Sequence, residues 1–188
     1  KNFYHERLNG YTNPIWFSEI DEIGQLEDNR IYLLIKKTEP ADGLRLPKSS
    51  LAIIKVPDRE HGRFVKVPSS DGFYNIMYLD DVVRYCLPLI FIGFKPSTFE
   101  AYSFKFTKDA EMEMENDFEY GVLQKVAKGV SSRRRGEPVR LIYDRRMPKD
   151  MKKKLMSKLD VSKLDASLAS SRYQNHKDLM GFPDCGHN

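Results

Sequence analysis

The residues with the clearest potential for chemistry are the basic side chains between positions 128 and 158. This stretch holds twelve Lys and Arg residues against three acids. A guanidinium offers a planar fork to phosphate oxygens, and clustered positive charge concentrates a polyanion at the surface. The pattern therefore indicates an anion surface. Its candidate contacts are the six arginines of the stretch: Arg133, Arg134, Arg135, Arg140, Arg145 and Arg146.

The same charges also fit an ordinary solvated surface. Between Met151 and Leu155 lie three lysines, Lys152, Lys153 and Lys154. They are expected on the solvent-facing side of a helix whose apolar stripe contains Met151 and Leu155. Runs of charge are usually solvated faces of this kind. For the lysines we favour the solvated face, and for the arginines both interpretations stay open.

An acidic stretch precedes the basic one and contains no base. Its six acids alternate with other residues: Asp109, Glu111, Glu113, Glu115, Asp117 and Glu119. On a strand, alternate side chains stand ~6.6 Å apart, which is too wide for one compact cation cage. A solvated strand face is the better interpretation, and we predict no metal site here.

Known catalytic and nucleotide-binding motifs are absent from the sequence. It contains neither a Walker A loop nor the glycine fingerprint of dinucleotide-binding folds, and it has no G-x-S-x-G or H-E-x-x-H. The four histidines are scattered, and Cys185 with His187 provides only two of the four ligands of a structural zinc site. We therefore predict no catalytic, metal or cofactor-binding residue in this chain.

Composition indicates a globular chain from a reducing compartment. Its 188 residues are 40% hydrophobic and 31% charged, with a formal net charge of +4. Two distant cysteines suggest no disulfide framework, the start of the chain lacks the apolar core of a signal peptide, and no apolar run is long enough for a membrane span. We expect the chain to be a piece of a longer protein located in the cytoplasm, with attachment to the periphery of the inner membrane left open.

Several segments have the hydrophobic patterns that would position these groups. The apolar run 31–35 is typical of a doubly covered strand, and 51–56, 63–67 and 73–78 read as an antiparallel meander. Residues 100–114 alternate between apolar and polar side chains, as in a long strand with one face in solvent. Lys108 stands at a position where this alternation calls for an apolar residue, which predicts a bulge or a break of the strand there.

Further segments predict helices and one more strand. Asp80 is a predicted N-cap, Asp117 caps a helix that runs to about residue 130, and 138–143 reads as a strand. Helices are predicted from Pro148 and from Asp160, the latter carrying Leu168. The fold class is therefore α+β, a mostly antiparallel sheet with helices packed mainly on one face, in a single domain.

Taken in order, several segments resemble the middle, or head, domain of type 1 polyphosphate kinase. The similarity covers residues 15–183, and the ordered set is more specific than any one piece. The segments are 52–57 (AIIKVP), 63–68 (RFVKVP), 79–85 (LDDVVRY), 90–94 (IFIGF), 101–112 (AYSFKFTKDAEM), 133–141 (RRRGEPVRL), 147–148 (MP) and 171–183 (SRYQNHKDLMGFP).

The resemblance implies a parent enzyme that reversibly transfers the terminal phosphate of ATP to polyphosphate. A phosphohistidine would carry the intermediate and Mg²⁺ would accompany ATP, both in C-terminal domains outside this chain, while an N-terminal helical domain would precede it. No histidine here matches the phosphoacceptor region. Residues 1–188 would form a non-catalytic middle domain that makes subunit contacts in a homodimer and frames the active-site tunnel.

The resemblance also suggests residues at the junction with the catalytic domains. Arg172, Tyr173 and Asn175 match the Arg-Tyr-x-Asn pattern of the family, although Ser170 and Ser171 replace its usual glycines. We expect these residues to position the junction, the alternative being a capped loop that only packs.

Two other functions are alternatives to a middle domain of polyphosphate kinase. A stand-alone basic module for nucleic acid or another polyanion would explain the charge, but single-strand binders interleave aromatics with their bases, and Tyr143 is the only aromatic between 128 and 158. Nucleic acid is therefore not the expected partner. A fragment that turns over ATP alone predicts Mg²⁺-dependent phosphate release.

Overall fold

The strands of the chain form two separate sheets. The structure, a computed structural model, describes residues 3–20, 26–67, 72–108, 138–159, 167–173 and 176–185. Its strands are β1 (Ile15–Trp16), β2 (Ile31–Glu39), β3 (Lys48–Lys55), β4 (Phe64–Val67), β5 (Asn75–Tyr78), β6 (Thr98–Lys108), β7 (Pro138–Asp144) and β8 (Ser167–Ser170). The larger sheet has the order β1-β3-β2-β6-β7-β8, and β4 pairs with β5.

Helical segments are short. The α-helices are α1 (Asp58–His61), α2 (Leu79–Tyr85), α3 (Leu87–Ile90) and α4 (Lys149–Lys158), with a π-type turn at Tyr4–Leu8 and a 3₁₀ helix at His176–Gly181. The α+β class predicted from the sequence is confirmed. None of the described helices is both long enough and apolar enough to cross a membrane.

The chain divides into two compact units. The first consists of Lys1–Glu19, Ile31–Ser103 and Asn175–Asn188, and the second of Ile20–Arg30 and Phe104–Gln174. In the first unit, β2 and β3 pair antiparallel, and one face of this pair joins α2 in the core. Residues 31–35 are all buried, as expected of a strand covered on both faces.

The predicted meander of 51–56, 63–67 and 73–78 is correct for its second pair and wrong for its first. Strands β4 and β5 pair antiparallel as predicted, whereas β3 pairs with β2 and β1 rather than with β4. Pro57 has no N–H to donate to a ladder, and α1 follows it directly, so the chain leaves the larger sheet after β3.

In the second unit, β7 and β8 run parallel and α4 lies between them in sequence. A parallel neighbour requires such a crossover, since a tight turn reverses the chain direction. Leu168 therefore lies on β8, and its assignment to a last helix is wrong. The β6–β7 register shifts between Thr107 and Lys108, where the sequence predicted a break.

Two local predictions concern the helices. Helix α2 begins at Leu79 with Tyr78 at the N-cap position, so the prediction that Asp80 caps it is wrong. Asp80 is instead a buried residue of the first turn. Helix α4 has its predicted apolar side, with Met151, Leu155 and the following Leu159 buried.

Candidate functional site

The end of β7 places two consecutive arginines in different environments. Arg146 donates from Nε to Oδ1 of Asp144 at 3.2 Å and from Nη2 to Oδ2 at 2.9 Å. The backbone N–H of Arg146 also donates to Oδ1, at 3.0 Å. The Asp144 side chain is 1% exposed and that of Arg146 is 54% exposed. A buried carboxylate therefore fixes and neutralises a guanidinium at the surface.

Arg145 is held by a carbonyl group rather than by an acid. Its backbone N–H and its Nε donate to the carbonyl oxygen of Ser170, at 3.0 Å and 3.3 Å. The residue is exposed, and no carboxylate in the described ranges forms an ion pair with it. Its positive charge is therefore open to an anion, because a peptide oxygen supplies no compensating full charge.

The other candidate arginines are only partly described. Arg140 is half-buried on β7, opposite Thr107 of β6. Arg133, Arg134 and Arg135 lie outside the described residues, as does the acidic stretch 109–119. The proposed gathering of all six arginines thus stays a prediction.

Two of the three consecutive lysines of α4 fit the solvated-face interpretation. Lys153 and Lys154 are exposed. Lys152 is half-buried: its Nζ donates to the Tyr143 hydroxyl at 2.7 Å and lies 4.4 Å from the centre of that ring. Tyr143 is thereby engaged as a packing and hydrogen-bonding partner of α4.

The predicted junction residues are also partly described. Arg172 stands over the ring of Tyr173, with 6.0 Å from Cζ to the ring centre, and Ser171 donates to the Tyr173 carbonyl. Asn175 lies outside the described residues. Their role at a domain junction stays a prediction.

Sequence reasoning missed a buried network of charges in the first unit. Asp80 lies 3.3 Å from Arg63 and 3.3 Å from Arg84, and Arg84 also pairs with Asp81 at 2.8 Å. Arg63 in turn pairs with Asp178 at 2.7 Å. All five side chains are at least four-fifths buried. Buried charges require such partners, because each guanidinium or carboxylate loses its hydration.

Part of this network had a local signal. Asp80 and Asp81 precede Arg84 by four and three residues, the spacing at which helical side chains meet. Arg84 also donates to the carbonyl of Ala101 on β6, at 3.3 Å. The pairing of Arg63 with Asp178 bridges 115 residues, so no local pattern indicates it.

Comparison with known proteins identifies the family. A family model described as the polyphosphate kinase middle domain matches residues 1–182. The chain belongs to the polyphosphate kinase middle-domain family. The resemblance of the ordered segments is thereby confirmed.

Relatives of the middle domain are longer proteins. The chain is 34% identical over 189 residues to the polyphosphate kinase of Vibrio parahaemolyticus, covering 99% of this chain and 26% of that protein. It is 30% identical over 190 residues to the polyphosphate kinase of Escherichia coli K12, covering 99% and 27%. The chain thus spans about a quarter of the length of the curated relatives it matches.

A solved polyphosphate kinase shares the fold of the middle domain. The crystal structure from Porphyromonas gingivalis aligns with a TM-score of 0.70 and 24% identity, covering 98% of this chain and 24% of that chain. These comparisons support a polyphosphate kinase domain over a stand-alone nucleic-acid-binding module.

Proposed function

We propose that this chain is the non-catalytic middle domain of an enzyme that reversibly transfers the terminal phosphate of ATP to inorganic polyphosphate. The observation that carries the proposal is the family match over residues 1–182. In this proposal a phosphohistidine and the Mg²⁺–ATP site belong to other domains of the same cytoplasmic enzyme. The middle domain contributes subunit contacts in a homodimer and part of the wall of the active-site tunnel.

The buried charges support a scaffolding role. Arg63, Arg84 and Arg146 each pair with a buried aspartate of the domain itself. A guanidinium held in this way stabilises the arrangement of helices and strands, and its charge is already matched. These pairings support a structural role for the three arginines.

Arg145 supports contact with the polymer. Its exposed side chain is oriented by the Ser170 carbonyl, and among the described residues it has no carboxylate partner. We assign it, with Arg140 and the arginines 133–135, to a surface that guides polyphosphate along the tunnel. An anionic polymer is attracted to such a surface by charge, without recognition of a sequence.

A domain-replacement experiment tests the proposed function. The middle domain of the V. parahaemolyticus polyphosphate kinase is replaced by this chain, and ATP-dependent polyphosphate formation is measured in the hybrid. Controls are that enzyme with its own middle domain, and the same enzyme with the segment deleted. We expect activity in the hybrid and none in the deletion.

The isolated chain provides the complementary measurement. With ATP, Mg²⁺ and polyphosphate we expect no transfer of phosphate and no release of it. Turnover that persists through purification and depends on Mg²⁺ would refute the non-catalytic assignment. An inactive hybrid, with the parent enzyme active, would refute the assignment to this enzyme.

A further inference from the structure

The two faces of the small β4–β5 sheet lie in different environments. In its antiparallel register Phe64 lies opposite Tyr78, and Val65 lies opposite Met77. Partners in register point to the same side, and successive residues alternate between sides. Val65 is buried in the core of the first unit. Phe64, Lys66, Ile76 and Tyr78 therefore form the other face, which we call the platform.

The segment 176–185 lies on this platform. The Phe182 ring contacts the Phe64 ring edge to face, with centres 5.1 Å apart, and Lys66 Nζ donates to the Asp184 carbonyl at 3.1 Å. These contacts involve the first and third residues of β4, as expected for one face of a strand. The segment belongs to the first unit although it follows the second unit in sequence.

Arg63 adds a charged connection between the segment and α2. Its Nε donates to Asp178 at 2.7 Å, its Nη1 lies 3.3 Å from Asp80, and its Cζ stands 5.6 Å from the centre of the Tyr78 ring. The Arg63 side chain is 8% exposed and the Asp178 side chain 11%. An ion pair that is nearly dry resists opening, because each separated charge would remain poorly hydrated.

We propose that Arg63, Phe64 and Lys66 anchor the 176–185 segment to the first unit, and that Arg63 is a positioning residue for the domain that follows. The anchor combines an ion pair, an aromatic contact and a hydrogen bond from a lysine side chain to a backbone carbonyl, over seven residues of the segment. In the enzyme proposed above, the chain leaves the middle domain through this segment, so this second statement rests on the proposed function. The orientation of the following domain is thereby set by α2 and β4.

Hydrogen–deuterium exchange on the 188-residue chain tests the anchor directly. The variants are Asp178→Asn and Phe182→Ala, both of which leave the Arg63–Asp80 pair intact, and Arg63→Met. The backbone N–H at position 182 donates to the Leu179 carbonyl. We expect hydrogen exchange at this amide to accelerate about tenfold or more in each variant. The matched control is Arg59→Met, since Arg59 is exposed on α1.

The double variant Arg63→Met/Asp178→Asn shows whether the two residues act as one unit. We expect its exchange rate to exceed that of the faster single variant by less than twofold, because either substitution already breaks the pair. Unchanged exchange in Asp178→Asn and Phe182→Ala, with α2 amides still protected, would overturn the anchor. Should Arg63→Met unfold the chain, these two variants still test it.

The hybrid enzyme tests the positioning role. We expect Asp178→Asn to lower kcat about tenfold with little change in KM for ATP, and Asp178→Glu to restore part of it. If Asp178→Asn accelerates hydrogen exchange but leaves kcat unchanged, the positioning role is refuted and the anchoring of the segment still stands. An inactive hybrid with the original Asp178 would refute the proposed function, and the exchange result on the 188-residue chain would still stand.

Discussion

The Nη2 atom of Arg146 lies 2.9 Å from Oδ2 of Asp144. An exposed arginine is thus paired with a carboxylate whose side chain is 1% exposed. The neighbouring Arg145 makes its two hydrogen bonds to the Ser170 carbonyl instead. Two adjacent arginines thus have distinct tasks. Arg146 is paired with the carboxylate of Asp144 at the end of β7, and Arg145 is exposed with no carboxylate partner in the part of the chain that the structure describes.

This difference predicts unequal effects on polyphosphate binding. We expect Arg145→Ala to weaken binding of fluorescent polyphosphate severalfold and to reduce the salt dependence by about one counterion. Arg146→Ala should change binding less and lower the free energy of unfolding by about 1 kcal/mol, since solvent screens its pair. Anisotropy titrations at two salt concentrations and urea unfolding measure the two effects. Equal losses of binding in both variants would contradict this division.

The central carboxylate of the buried network should be a major contributor to stability. Asp80 contacts two guanidiniums, and Asp80→Asn removes the charge from both contacts, while Arg63 keeps Asp178 and Arg84 keeps Asp81. We expect a loss of about 2 kcal/mol in the free energy of unfolding, the size of a buried hydrogen-bonding contact to a charged group. Urea denaturation measures it, with Glu6→Gln as the control because Glu6 is exposed. A loss no larger than that of the control would show that the network adds nothing to stability.

The two cysteines should differ in reactivity. Burial raises the pKa of the Cys86 thiol and keeps it in the unreactive protonated form, whereas Cys185 is partly exposed. We expect iodoacetamide at pH 8 to alkylate Cys185 at least about tenfold faster in the folded chain, and both cysteines in urea. Peptide mass spectrometry resolves the two sites, and Cys185→Ser should remove the rapid phase. Rapid modification of folded Cys86 would contradict its burial.

Glu39 should add stability that depends on pH. The hydrogen bond from Lys37 Nζ, at 2.8 Å, lowers the pKa of the Glu39 carboxyl. A carboxyl with a lowered folded-state pKa stabilises the fold above its unfolded pKa, and this contribution disappears as the pH falls through the folded value. We therefore expect Glu39→Gln to be less stable than the original chain at pH 7, by a margin that narrows at pH 3. Urea midpoints at the two pH values test this.

A difference at pH 7 that persists undiminished at pH 3 would assign the effect of Glu39 to packing rather than to charge. Glu6→Gln is again the matched control. It removes an exposed carboxylate, and we expect no comparable pH-dependent difference between it and the original chain.

Local patterns in the sequence determined much of the fold. The run 31–35 has apolar residues at every position, and it is buried on both faces because such a run cannot leave one face in water. The apolar spacing of Met151 and Leu155 likewise defines the buried side of α4. The ordered segments also indicated the family, because they combine positions across nearly the whole chain.

What the sequence by itself determined was therefore the class of fold, the family and the composition of the basic stretch 128–158. Tertiary structure decided how individual charges are paired. Arg145 and Arg146 are adjacent and chemically identical, yet among the described carboxylates a buried one pairs with Arg146 and none with Arg145. Arg63 and Asp178 meet across 115 residues. Contacts of this kind depend on strand pairing and on the route of the chain, because an ion pair needs proximity in space and carries no periodic signal in sequence.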